Sequence, residues 1–221
     1  MNNRANVIIK CAILAVVIVF CCAYLIRSTA ILTTEITAEC ITGHQSSKTT
    51  LTYSWNWNDK PPAGNPVVIL KWRGVDKSGQ YTSYASANDL KAEAEYISSY
   101  GDIIKAEIKP QEYHEVIGYK NAENNENYVV VCFDRYLKDK NGAFYYMRSG
   151  SISVTIQHIN RIEDSPLYYH CYANYAHRSF IGKLSKNKDV RHVFTNFSKS
   201  KSLGDIEALV YADGKVELLN N

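Results

Sequence analysis

One stretch constrains this chain before any other. From Cys11 to Ile26 it runs CAILAVVIVFCCAYLI, sixteen consecutive residues without a charge. A helix rises about 1.5 Å per residue, so these span only ~24 Å of a hydrocarbon core roughly 30 Å thick. Val7, Ile8 and Ile9 extend the run behind Lys10, whose aliphatic stem lets its ammonium reach the headgroups. Counted from Val7 to Ile26 the helix reaches ~30 Å, enough to cross once.

The flanks set a direction. Arg4, Lys10 and the α-amino group precede the run, Arg27 alone follows directly, and Glu35 and Glu39 come next. Basic flanks stay on the cytoplasmic side, so everything past Arg27 is expected on the periplasmic or extracellular side of the inner (cell) membrane. The expected organisation is a cytoplasmic tail at 1–6, a transmembrane anchor or uncleaved signal at 7–27, a juxtamembrane segment at 28–47 and an extracytoplasmic domain at 48–221. Two alternatives stay open. Ser28-Thr29-Ala30 offers small residues where a signal peptidase cuts, although Arg27 sits awkwardly between run and cut. Val19-Phe20-Cys21-Cys22 makes a poorer lipoprotein site, because Phe20 and Cys21 stand where small residues belong. All three place the domain in one compartment.

The chain has 25 basic and 22 acidic residues. Arg4, Lys10 and Arg27 account for the excess, so the domain is neutral overall and lacks the field that holds nucleic acid. Charge is unevenly placed within it. Asn88 to Glu126 carries nine acidic residues against four basic, and Ala176 to Ser202 carries seven basic residues against Asp189 alone. Solvated faces or loops are the expected explanation. The alternative makes the basic tract, with Lys183, Lys186, Lys188 and Arg191, a contact for anionic headgroups or an acidic partner.

Three of the six cysteines, Cys11, Cys21 and Cys22, lie in the apolar run as small hydrophobes. Outside the cytoplasm, one disulfide is expected among Cys40, Cys132 and Cys171. Cys132–Cys171 is favoured, because both fall in predicted strands. Scattered as they are, the three lack the close spacing of a metal site.

Strand patterns dominate from Lys48 onward. Leu51 to Trp57 alternates, with Tyr53, Trp55 and Trp57 on one face. Lys60 to Pro66 is a Pro- and Gly-rich loop, and Val67–Val75 and Gln80–Ala85 flank a hairpin at Asp76–Gly79. Asn88 offers a cap for a helix from Asp89 to Tyr100 with Gly101 as its stop; the same stretch alternates as LKAEAEY, but its alanines favour helix. Further strands are expected at Ile103–Ile108, Glu112–Tyr119, Val129–Leu137, Ala143–Arg148, Ser151–Ile159, Leu167–Tyr175 and Val190–Phe197. Ile206–Tyr211 and Val216–Leu219 close the chain around Asp213-Gly214, and Asn141-Gly142 marks a two-residue hairpin. The fold class expected is mainly β: an antiparallel β-sandwich or barrel with at most one or two short helices, preceded by the transmembrane helix.

Nothing marks the chain as an enzyme, and no cofactor is implied. The six histidines form no HExxH or HxH arrangement, and no GxSxG elbow, P-loop or dinucleotide fingerprint is present. Gly150-Ser151-Ile152-Ser153 is explained by an alternating strand. His170 and Cys171 are adjacent on a strand, so they point to opposite faces. A histidine–carboxylate constellation in the fold would reopen the case for a hydrolase. The aromatic residues Tyr53, Trp55, Trp57 and Tyr169 are expected in the core and its rim, with a binding surface or apolar cavity as the alternative.

Two stretches, Ala38-Glu39-Cys40 through Trp57 and Tyr128 through Pro166 with Phe144-Tyr145-Tyr146 and Glu163-Asp164-Ser165-Pro166, carry a likeness. In them, and in its layout of tail, anchor and β-rich domain, the chain resembles small inner-membrane proteins of the FidL and ToxS kind, the periplasmic partners of ToxR-type transmembrane regulators. It differs from that pattern by extra material at Asn88–Glu126 and after Ala176. The resemblance implies a membrane-anchored accessory protein that steadies or modulates another membrane or extracytoplasmic protein. A periplasmic immunity protein against a toxin, or a binder of a small apolar ligand, is the alternative.

Overall fold

The structure is a computed structural model. It describes residues 13–18, 30–42, 46–62, 64–82, 87–107, 127–159, 166–178 and 202–219. Residues 13–18, inside the apolar run, are helical with exposed side chains. Among the described residues no helix is long and apolar enough to cross a membrane. The remainder of the run lies outside them, as do the strands expected at Glu112–Tyr119 and Val190–Phe197.

Twelve strands are described, and they form two antiparallel sheets stacked as a sandwich. The first sheet has the order β1 (Leu32–Thr42), β2 (Ser46–Trp57), β9 (Phe144–Ile159), β5 (Ala87–Ser98), β6 (Ile103–Glu107). Short β8 (Tyr136–Lys138) pairs with the start of β9, in line with β2. The second sheet has the order β12 (Val216–Leu218), β11 (Ser202–Tyr211), β10 (Tyr168–Arg178), β3 (Asn65–Val75), β4 (Tyr81–Thr82). There β7 (Asn127–Cys132) shares the outer side of β3 with β4.

Period-two alternation decides what faces inward. On β2, Leu51, Tyr53, Trp55 and Trp57 point between the sheets, and Thr52, Ser54 and Asn56 point out. The core is aromatic. Trp55 meets Phe133 edge-on at 4.9 Å, and Tyr175 lies 5.6 Å from Trp55 and 5.8 Å from Trp57. Such pairs add about 0.5–1.5 kcal/mol each beyond the area they bury. Trp57 Nε1 donates to the Tyr175 hydroxyl at 3.1 Å, which satisfies a buried indole. Burial drives the Tyr53, Tyr96, Tyr169 and Tyr175 phenols well above their ordinary value.

Five departures from the expectations concern the strands, their sheets and the cysteines. The sheet begins at Leu32, inside the stretch assigned to the juxtamembrane segment, because β1 pairs along its whole length with β2. Asp89–Tyr100 is not a helix. β5 is a strand paired with β9 on one side and β6 on the other, with Ala92 and Ala94 buried and Glu93 and Glu95 outside. Tertiary pairing overrides the helical preference of its alanines and glutamates. The stretch 129–137 divides between the sheets, Phe133–Arg135 carrying the chain from β7 to β8. Conversely, 143–148 and 151–159 join through Gly150 into one sixteen-residue strand.

The fifth departure is the disulfide. Cys132 lies level with Val67 and Cys171 with Trp72, on opposite sides of β3. That places them two strands apart, about 10 Å, and about 16 Å along the strands, beyond the ~7 Å that a bridge spans. Cys171 is buried in the core, whereas Cys132 follows the opposite parity, and the two are not bonded to each other.

Candidate functional site

The first sheet has one face in the core and one in water. Its outer face is carpeted with hydroxyls and carboxylates, because the outward positions Thr33, Glu35, Thr37 and Glu39 of β1, Lys48, Thr50, Thr52, Ser54 and Asn56 of β2, Ser149, Ser151, Ser153 and Thr155 of β9, and Asp89, Lys91, Glu93 and Glu95 of β5 are all polar. Cross-strand pairs knit the carpet: Thr52 with Ser153 at 2.9 Å and Thr50 with Thr155 at 3.2 Å.

Two rows run across it. Glu35, Ser54, Ser151 and Glu93 are in register, and beside them Thr33, Asn56, Ser149, Glu95 and Lys105. Between Glu95 and Tyr96 the register slips, leaving Arg148 as an extra residue on β9. A bulge of this kind bends the strand and raises its twist. Gly150 stands beside it, where an added Cβ would lie 2.5 Å from Trp55 Cζ2 and 2.6 Å from the Glu93 carbonyl oxygen. Bulge and glycine sit at an open groove of about 550 Å³ lined by both rows.

Charge in the groove is partly committed. Lys105 Nζ lies 3.0 Å from Glu95 Oε1, and the Ser149 hydroxyl donates to Glu95 at 3.1 Å. The ammonium and that hydroxyl hold the Glu95 carboxyl below its ordinary range, and Glu95 in turn raises Lys105. Ser151 donates weakly to Glu93 at 3.4 Å. Glu35 and Glu93 have no cation within ion-pair distance among the described residues, so the groove has a surplus of negative charge and of acceptors. Its serines donate to carboxylates rather than to a histidine, an arrangement suited to polar recognition and not to activating a nucleophile.

The sequence-predicted sites fall elsewhere. Tyr53, Trp55, Trp57 and Tyr169 are between 0% and 3% exposed, so the aromatic binding surface is corrected to core. Trp55, Trp72, Tyr53, Tyr96, Tyr175 and Phe133 fill the space between the sheets. Lys183, Lys186, Lys188 and Arg191 lie outside the described residues. His170 Nε2 is 2.6 Å from Glu207 Oε1, a histidine–carboxylate pair on the outward face of the second sheet, half-buried and away from the groove. Its neighbour Cys171 points into the core, where burial pushes the thiol far up. Among the described residues no cluster of three or more His, Cys, Asp or Glu could hold a metal.

The groove itself was missed. LKAEAEY read as a strand puts Glu93 and Glu95 on one face, and Ser149 and Ser151 share a face of the next. Only the β5–β9 pairing, more than fifty residues apart, brings them together.

No protein-family model matches this chain, and no curated protein matches it. Among solved structures it is similar to the collagen-binding subdomain of the Enterococcus faecalis surface protein ACE, at 9% identity and a TM-score of 0.36 over 80% of this chain and 95% of that one. The collagen-binding domain of a Staphylococcus aureus adhesin matches at 6% identity and a TM-score of 0.25, over 80% and 96%. The C-terminal domain of the Streptococcus agalactiae AgI/II polypeptide BspA matches at 8% identity and 0.34, over 66% of this chain and 44% of that one. This chain therefore spans less than half of the BspA domain. Likenesses this distant carry neither fold nor role to the protein.

Proposed function

We propose that this protein is a non-enzymatic, membrane-anchored binding protein. The run Val7 to Ile26 holds it in the inner membrane, and the groove on the first sheet takes a segment of another membrane or extracytoplasmic protein, which it steadies or modulates. The observation that carries this is the groove: an open, solvent-facing strip of hydroxyls and carboxylates in which Glu35, Glu93 and Glu95 outnumber Lys105. It suits a partner segment rich in donors, with a lysine or arginine to meet Glu35 and Glu93. The likeness in layout to the FidL and ToxS kind supports a ToxR-type regulator as that partner. Filling of the interior by aromatic side chains weighs against a small apolar ligand held between the sheets.

Purification of the full chain from a detergent extract tests the reading. A companion protein at near-stoichiometric level is expected, and pairing Glu93→Lys with Ser151→Trp is expected to reduce it roughly tenfold by charge reversal and blockage. Wild-type protein emerging alone would count against any binding role. A companion retained undiminished by the double variant would move the contact off the groove.

His170 and Glu207 favour a second reading, an extracytoplasmic hydrolase. It requires a nucleophile or bound water beside the pair. Hydrolysis lost in His170→Gln, with the companion still bound, would establish it.

A further inference from the structure

The groove has a long axis, and strand order sets it. Its lining takes three consecutive residues from each of β1, β2, β9 and β5, and then Lys105 of β6. At about 4.8 Å per strand it is a strip about 19 Å long across the strands and about 7 Å wide along them. A helix with its side chains is about 10–12 Å across, so the strip matches a single extended chain instead.

Charge is laid out along that axis. The row Glu35, Ser54, Ser151 and Glu93 continues to Glu107, which faces Glu93 from β6. These two carboxylates share the outer face with their Cβ atoms about 5 Å apart, and like charges so placed repel. Among the described residues no cation lies within ion-pair distance of either. Lys105 is held 3.0 Å from Glu95, Lys91 lies 3.9 Å from Asp89, and Arg148 acts on Glu95. The second row is therefore neutralised within the domain. The first row keeps three carboxylates and has no cation of its own.

The floor adds a sign independent of charge. Trp55 lines the groove with its ring against Gly150, Cζ2 and Cε2 nearest. Its Nε1, bonded to that Cε2, is buried and has no hydrogen-bond partner among the described residues. Buried donors are rarely left unused, and this one sits beneath the middle of the strip.

Glu35 and Glu93 are three strands apart, about 14 Å. An extended chain covers that distance in four residues at about 3.3 Å each and returns to the same face. A helix needs about nine residues, which end on its opposite side. At the paired carboxylates a planar guanidinium can direct its fork of donors to both. We infer that the groove takes an extended segment lying across the strands, with an arginine between Glu93 and Glu107 and a second basic residue, four positions away, at Glu35. A small polar side chain stands midway, over Ser54 and Ser151. That occupant presupposes the groove reading above and gives its partner a chemistry: two basic residues four apart on a stretch without helix.

Titration of the full chain in nonionic detergent with dye-labelled heptapeptides tests it. Thr-Arg-Thr-Ser-Thr-Lys-Thr carries its charges four positions apart, and Thr-Thr-Arg-Ser-Lys-Thr-Thr carries the same charges two apart. The first is expected to bind about tenfold more tightly, and Glu35→Gln to remove that difference. Glu107→Gln is expected to weaken the first peptide about tenfold while raising the urea midpoint of the free chain, because it relieves the facing carboxylates. A merely structural residue would move both in the same direction. Glu39→Gln, on β1 outside the groove, is expected to leave the affinity unchanged. Equal binding of the two peptides overturns the spacing, and an affinity indifferent to Glu107→Gln overturns the arginine subsite. Binding of neither, with the companion protein still lost in the Glu93→Lys, Ser151→Trp variant, overturns the dibasic segment and leaves the groove reading standing. A companion retained by that variant overturns the groove reading and the segment with it.

Discussion

Gly150 sits where the Trp55 indole crosses β9, with the Glu93 carbonyl closing in from β5. Both neighbours are hard to move: one ring is fixed by Phe133 and Tyr175, and the other atom belongs to a paired backbone. Gly150→Ala is therefore expected to destabilise the domain by about 2–3 kcal/mol, the upper part of the range for overpacked sites. Urea unfolding with an unchanged denaturant slope would show it. A loss below about 0.5 kcal/mol would mean that Trp55 has room to shift. The sequence marks this glycine only as an interruption between two apparent strands. Its role depends on a ring nearly a hundred residues earlier, which local pattern does not reveal.

At the scale of elements, four hairpins share one construction. In Asp76–Gln80, Ser98–Asp102, Asp139–Ala143 and Tyr211–Lys215, the glycine at the fourth position donates to the first residue's carbonyl, and the first residue's amide donates to the fifth. The glycines have φ between 81° and 92°, the left-handed conformation that a three-residue hairpin loop requires, so Asn141-Gly142 belongs to a three-residue loop and not to the two-residue hairpin expected. Gly101 is one of these. Taken alone it passes for a helix stop; compared with Gly79, Gly142 and Gly214 it marks a hairpin, and β5 becomes a strand. The β7–β8 crossover has no such signature. Phe133 is its pivot, buried edge-on against Trp55 with its amide donating to Pro66. Phe133→Ala is expected to cost about 3–5 kcal/mol, because one cavity loosens both sheets where the chain passes between them. Thermal unfolding would report it, and a loss under about 1 kcal/mol would show that the crossover is held by other contacts.

For the whole molecule, the aromatic core ties stability to pH from the alkaline side. Burial first of all raises Tyr53, Tyr96, Tyr169, Tyr175 and Cys171 above their ordinary values. The unfolded chain releases these protons near pH 9 for the thiol and near pH 10 for the phenols, while the folded protein retains them. Their stabilisation is thus complete below about pH 9 and is lost as pH rises beyond it, by about 1.4 kcal/mol per unit for each group once its unfolded form ionises. Denaturant midpoints at rising pH are expected to hold until then and to fall steeply above pH 10. A flat profile through pH 11 would mean that the phenols reach water.

Sheet content, the inward face of β2, most of the hairpins and the apolar run were all legible in the chain, because each is written in neighbouring residues: a period of two, a turn glycine, an unbroken absence of charge. Which strands belong to which sheet was not, and neither was the fate of Asp89–Tyr100, the separation of Cys132 from Cys171, or the groove. Each of these depends on register between segments far apart in sequence, where a strand's partners, and not its own composition, fix its conformation and its neighbours.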